Sequence, residues 1–170
     1  RADNLQDAQR LIEQGQHAQA LDQVNKHLSG KPKDAQGRFL KGLILTEMGK
    51  TNDAIGVFTK LTEDYPELPE PYNNLAVIYA QQKQYDKAKQ ALEMAIRTHP
   101  SYATAHENLG DIYARLASQA YDKALQIDSS NSSAQNKLAL IRDLMSVGNR
   151  PGKAGKPVVV SMGDVAGSGG

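Results

Sequence analysis

Cysteine and tryptophan are missing from the 170-residue chain, and there are only two phenylalanines. Without cysteine there is no disulfide, no thiolate metal site and no thiol nucleophile, although this does not fix the compartment. No apolar run approaches the ~18 residues of a spanning helix, so no membrane span is expected. An excess of one charge is missing too. The 20 Lys+Arg against 19 Asp+Glu leave a net charge of +1, which argues against the basic footprint of a nucleic-acid protein. A hydrophobic fraction of 39% makes the core thin for the length, yet sufficient for one domain with a tail.

What is present is repetition. Pro32, Pro66 and Pro100 are spaced by 34 residues, and then by 34 again. The same step relates Ala20, Ala54 and Ala88, the small residues Ala8, Gly42, Ala76 and Gly110, and the bulky series Leu11, Leu45, Tyr79 and Tyr113. Val24, Phe58 and Leu92 add a fifth column in the same register. Each unit reads as two helices. In the third, Tyr72, Leu75, Ala76 and Tyr79 make one apolar helix face. Gln82, Lys83 and Gln84 interrupt it, and Tyr85, Ala88, Leu92, Ala95 and Ile96 begin another. Pro100 closes that helix, because proline cannot continue it. Gly15 and Gly49 hold the turn between helices in the first two units, where a left-handed residue is needed. Lys83 takes that place in the third, so a non-glycine residue has to adopt the turn conformation there. Small residues such as Ala76 and Ala88 sit where two helices come closest, and larger ones fill the groove between hairpins.

These residues resemble the tetratricopeptide repeat (TPR) family, most fully in the third repeat, 69–102, through Tyr72, Leu75, Ala76, Tyr79, Ala88, Leu92, Ala95 and Pro100. The second, 35–68, has Arg38 for the aromatic and Lys41 for the Leu; the first, 1–34, has Asn4 and Asp7 there. The resemblance implies an all-α, right-handed α-solenoid of helix hairpins across a repeat domain of residues 1–147. The fourth unit, 103–131, departs from the pattern. It begins correctly with His106, Leu109, Gly110 and Tyr113, but Tyr113 to Ala124 is 11 residues where Tyr79 to Ala95 is 16. With the turn missing and no Pro, one continuous helix is expected from about 103 to 127. Its apolar stripe rotates along its length, so Ala117, Tyr121 and Ala124 need their own cover. Either a capping helix at 132–146 folds back on them or a second copy covers them, giving a homodimer by helix exchange. Residues 148–170 hold seven of the 14 glycines and read as a flexible tail or linker, in which Val158, Val159 and Val160 could add as a strand to a partner.

Nothing in this sequence reads as a catalytic site. His17, His27, His99 and His106 are scattered, and no metal-binding or phosphate-loop pattern occurs. His106, at the aromatic position of its unit, is read as a packing residue, and the Asn131-Ser132-Ser133 sequon as a polar turn between helices. No catalytic, metal or cofactor residue is expected. By the resemblance, the first helix of each hairpin lines a concave face, here carrying Leu5 and Gln9, then Phe39, Leu40 and Leu43, then Glu70, Asn73, Asn74 and Val77, then Glu107, Asn108 and Asp111. Chaperone-binding members of the family hold a terminal carboxylate there with Lys, Arg and Asn. Only Asn74 and Asn108 match, and the cations are absent. The face instead grades from apolar (Leu5, Phe39, Leu43) to acidic (Glu70, Glu107, Asp111), which suits a segment with apolar and basic groups whose backbone meets the asparagines.

The expectation is therefore a non-enzymatic protein-binding or scaffold module. Its alternatives are a helical-repeat RNA binder and the non-catalytic part of a larger enzyme. The first is disfavoured by charge: Arg150, Lys153 and Lys156 less Asp164 give the tail +2, leaving −1 for the repeat body. The chain begins at Arg1 rather than Met, as a processed protein or a fragment does, and bacterial members of the resembled family are often periplasmic. A periplasmic or otherwise exported location is expected over a cytoplasmic one.

Overall fold

Periodic small residues become helix-to-helix contacts in the computed structural model, which describes residues 4–147. The expected tail falls outside them. Among the described residues eight helices run in order: α1 (Asn4–Glu13), α2 (His17–Gly30), α3 (Ala35–Glu47), α4 (Thr51–Asp64), α5 (Pro69–Gln81), α6 (Tyr85–Thr98), α7 (Ala103–Ile127) and α8 (Ser132–Ser146). They pair as hairpins, α1 with α2 through α7 with α8, and each hairpin packs on the next.

The three full turns are copies of one another. Gln16, Lys50 and Gln84 donate their N–H to the carbonyls of Leu11, Leu45 and Tyr79 at 2.8, 2.9 and 2.9 Å. This six-to-one bond needs a left-handed residue just before the donor. Gly15 and Gly49 supply it at φ 78° and 76°, and Lys83 adopts it at φ 62°. One period on, position 117 is Ala and remains inside α7. The fused helix is thus observed, 25 residues and about 37 Å long.

The core follows the seams of the array. One cluster joins Leu5, Ala8, Ala20 and Val24 of the first hairpin to Leu40 and Ile44 of α3. A second joins Phe39, Leu45, Phe58 and Leu61 to Leu75 and Ile78 of α5. The third joins Ala76, Ala88, Leu92 and Ala95 to Ala105 and Ile112 of α7. Each hairpin buries its apolar face only with the first helix of its successor, which couples neighbours and makes the fold cooperative along its length.

The small-residue column shows how closely the helices meet. A Cβ at Gly42 would lie 2.5 Å from Cε1 and Cζ of Phe58. Gly110, expected to be a packing position too, has no heavy atom within 4 Å of its would-be Cβ. With five residues missing, the counterpart of Phe58 and Leu92 is Tyr121, eleven residues further along the same helix, about 16 Å away. Fusing the helices removed the contact for which the column is small.

α8 folds back on α7, so the chain itself provides cover for Ala117, Tyr121 and Ala124, which are half-buried. Ala134 and Leu138 are buried in return, and Arg142 reaches Asp122 at 3.5 Å. Asn131 is the N-cap of α8, its side chain accepting the Ala134 N–H at 3.0 Å, which is the structural role of the sequon.

Candidate functional site

The first helices of successive hairpins adjoin, α1 beside α3 and α5 beside α7, and make one face of the array. Of the residues expected to offer a surface there, several are interior. Phe39 is fully buried with its ring 5.6 Å from that of Phe58, and Leu5 and Leu40 belong to the first core cluster. Glu70 is buried in the first turn of α5, behind Pro69, where the positive end of the helix dipole favours a carboxylate. Asn73 is 0% and Asn74 4% exposed. These six cannot present side chains to a ligand as freely as the sequence pattern implied. A helix in a solenoid has neighbours on both sides, so part of its inward face belongs to the seam.

The buried asparagines have an internal task. Asn108 of α7 donates through Nδ2 to Oδ1 of Asn73 at 3.0 Å, and Asn73 Nδ2 donates to Asn74 Oδ1 at 3.3 Å. This chain of amides ties α5 to α7. The spacing from 73 to 108 is 35 residues, one more than the repeat, so same-column comparison does not find it.

The accessible part of the face comprises half-buried Leu43, Val77 and Asn108 together with exposed Glu107 and Asp111. The Asp111 carboxyl is held above the usual carboxylate range, first by partial desolvation and then by Glu107, with Arg115 opposing. Arg115 is thus a cation at this acidic end that the sequence reading did not count; its signal was the i, i+4 spacing from Asp111.

Two other clusters went unread, and both are structural. Arg38 stands where the repeat wants an aromatic, and it reaches Asp64 at 2.8 Å while lying 6.0 Å from the Tyr65 ring centre. The Tyr65 hydroxyl donates to the Lys33 carbonyl at 2.6 Å, so a cation and an aromatic close this seam. His27 Nε2 lies 2.7 Å from Asp34 Oδ2, which also accepts the Gly37 N–H at 3.1 Å and caps α3. His106, expected as a packing residue, is exposed instead and donates through Nε2 to the Pro100 carbonyl at 2.8 Å. Among the described residues no three His, Asp or Glu side chains gather as a metal site.

The family profile described as "Psidin, N-terminal TPR repeats region" matches residues 5–138. The chain belongs to the tetratricopeptide repeat family. A TPR relative, the chloroplastic tetratricopeptide repeat domain-containing protein PYG7 of Arabidopsis thaliana, is 34% identical over 85 residues, covering 47% of this chain. The match spans only 28% of that relative's length. Among solved TPR structures, MamA protein superposes with a TM-score of 0.60 at 22% identity, over 82% of this chain and 79% of that one. The first TPR of Spaghetti (RPAP3), bound to the HSP90 peptide SRMEEVD, superposes with a TM-score of 0.62 at 16% identity, covering 67% and 90%.

Proposed function

We propose that this TPR chain is a non-enzymatic interaction module that holds an extended protein segment along the face formed by α1, α3, α5 and α7. The observation that carries the reading is the exposed acidic pair Glu107 and Asp111, set beside the half-buried Asn108 amide, with Leu43 and Val77 as partly open apolar contacts. The fold is one on which a relative takes a peptide, and that peptide, SRMEEVD, is acidic at its end. Here the exposed groups favour the opposite sign. The complementary ligand has apolar anchors and one or two Lys or Arg residues, one of which reaches Glu107 and Asp111.

A second proposed partner is another copy of the chain, meeting it through the long helix α7. Ala117, Tyr121 and Ala124 do not need that copy, being half-buried with α8 folded back on α7, but Tyr113 remains 49% and Ile127 77% exposed.

The ligand reading is tested by fluorescence anisotropy with two labelled peptide pools, one apolar and basic, the other apolar and acidic with a free C-terminal carboxylate. The apolar–basic pool is expected to bind, and Glu107→Gln/Asp111→Asn to weaken it about two- to tenfold, as loss of exposed charge pairs does. Preference for the acidic pool, or equal binding by the variant, would overturn the assignment.

A further inference from the structure

Three amides on α5 and α7 form a relay that runs in one direction. Asn108 Nδ2 donates to Asn73 Oδ1, and Asn73 Nδ2 donates to Asn74 Oδ1. Asn73, in the middle, is 0% exposed, with both its oxygen and its nitrogen engaged inside the protein. An amide can only donate through its nitrogen and accept through its oxygen. A central amide that does both therefore forces the two outer amides to opposite polarity. Asn74 is left with its nitrogen, a donor, and Asn108 with its oxygen, an acceptor. Neither atom makes a hydrogen bond among the described residues. Both still reach solvent, although Asn74 is only 4% exposed. Asn74 lies one turn before the half-buried Val77 on α5, and Asn108 one turn before the exposed Asp111 on α7. The two ends thus open on the face described above.

We propose that Asn73 is a positioning residue that makes this face read the middle of a protein chain and not its end. A peptide group inside a chain offers one C=O and one N–H, the complement of a donor on Asn74 and an acceptor on Asn108. A terminal carboxylate accepts only, so it satisfies the Asn74 nitrogen and meets the Asn108 oxygen with like partial charge. Without Asn73 both outer amides could turn their N–H groups outward, and two donors side by side suit a carboxylate. The inference rests on the segment-binding reading above and narrows its ligand to an internal stretch of chain.

The test gives the full-length protein a short apolar–basic peptide pool in two forms, read by fluorescence anisotropy. One form is acetylated and amidated; the other has a free C-terminal carboxylate. Wild type is expected to bind the blocked form about two- to tenfold tighter, the worth of roughly one hydrogen bond. Part of that ratio comes from Glu107 and Asp111 repelling a carboxylate, so the deciding variant leaves both in place. Asn73→Leu removes both relay bonds and is expected to bring the ratio at least twofold nearer to one, with helical circular dichroism retained. A merely structural role would weaken both forms alike and leave the ratio unmoved. Side-chain amide exchange followed by NMR needs no variant: one Nδ2 proton should be protected in Asn73 and one in Asn108, and none in Asn74. Protection at both outer amides, or at neither, would overturn the relay. Tighter binding of the free-carboxylate form by wild type, or an unchanged ratio in folded Asn73→Leu, would overturn the role of Asn73 and leave segment binding standing. Binding of neither form would overturn segment binding and this inference together.

Discussion

Gly42 and Gly110 occupy the same column of the repeat, and replacing each by alanine should have opposite effects. Alanine gains about 0.8–1.0 kcal/mol over glycine in a helix interior, and both positions lie in mid-helix. At Gly110 nothing lies within 4 Å of the new methyl, so the whole gain should appear as stabilisation. At Gly42 the methyl would sit 2.5 Å from two atoms of the Phe58 ring and 2.9 Å from a third. That ring is fully buried against Phe39 and has no open side to move into. Overpacking of this kind costs about 1–3 kcal/mol, which exceeds or cancels the propensity gain. The two variants should therefore differ by about 1–3 kcal/mol, or roughly 2–12 °C in melting temperature for a chain of this size. Thermal and urea unfolding followed by circular dichroism would measure both. Equal shifts for the two variants would refute the claim that fusing the fourth hairpin emptied this column.

At the third turn, Lys83→Gly should raise the melting temperature. A left-handed residue other than glycine costs roughly 1–2 kcal/mol, of which the freer unfolded glycine returns about 0.4–1; a lower melting temperature would contradict this. Arg38→Met should keep the side-chain stem near Tyr65 and remove the charge beside Asp64. The Asp64 carboxyl is lowered from 3.8, chiefly by its hydrogen bond to Arg38, so its contribution is present above 3.8 and lost as pH falls through the lowered value. The stability gap between wild type and Arg38→Met, from urea titrations, should be widest near neutrality and close in that acid window. Binding of a basic segment should weaken in acid for the opposite reason. The Asp111 pKa is raised above 3.8, so this carboxyl loses its charge earlier than an ordinary aspartate as pH falls. Anisotropy titrations should show that loss setting in at a higher pH in wild type than in Asp111→Asn, where the Glu107 carboxylate remains. Ala88→Leu should destabilise by about 1–3 kcal/mol through overpacking, and more than Ala20→Leu, because the third hairpin has neighbours on both sides; equal melting shifts would contradict it.

The sequence alone determined the repeat. A period carried by five columns specifies which residues approach closely, where helices end and where a left-handed turn falls, because these are properties of one unit copied along the chain. The missing turn was legible in the same way, as a shortened interval without glycine or proline, and α7 runs unbroken from Ala103 to Ile127. Side-chain contacts between different columns were not legible. The Arg38–Asp64 pair within the second hairpin, and the His27–Asp34 contact and the Asn73–Asn108 bond from one hairpin to the next, join residues that share no column, and their partners depend on how each helix is rotated against its neighbour. That rotation also decided the site: Leu5, Phe39, Glu70 and Asn73 carry surface-like positions in the pattern, yet the neighbouring helix closes over them. A periodic sequence states which face of a helix is used. Only the stacked structure divides that face between the seam and the solvent.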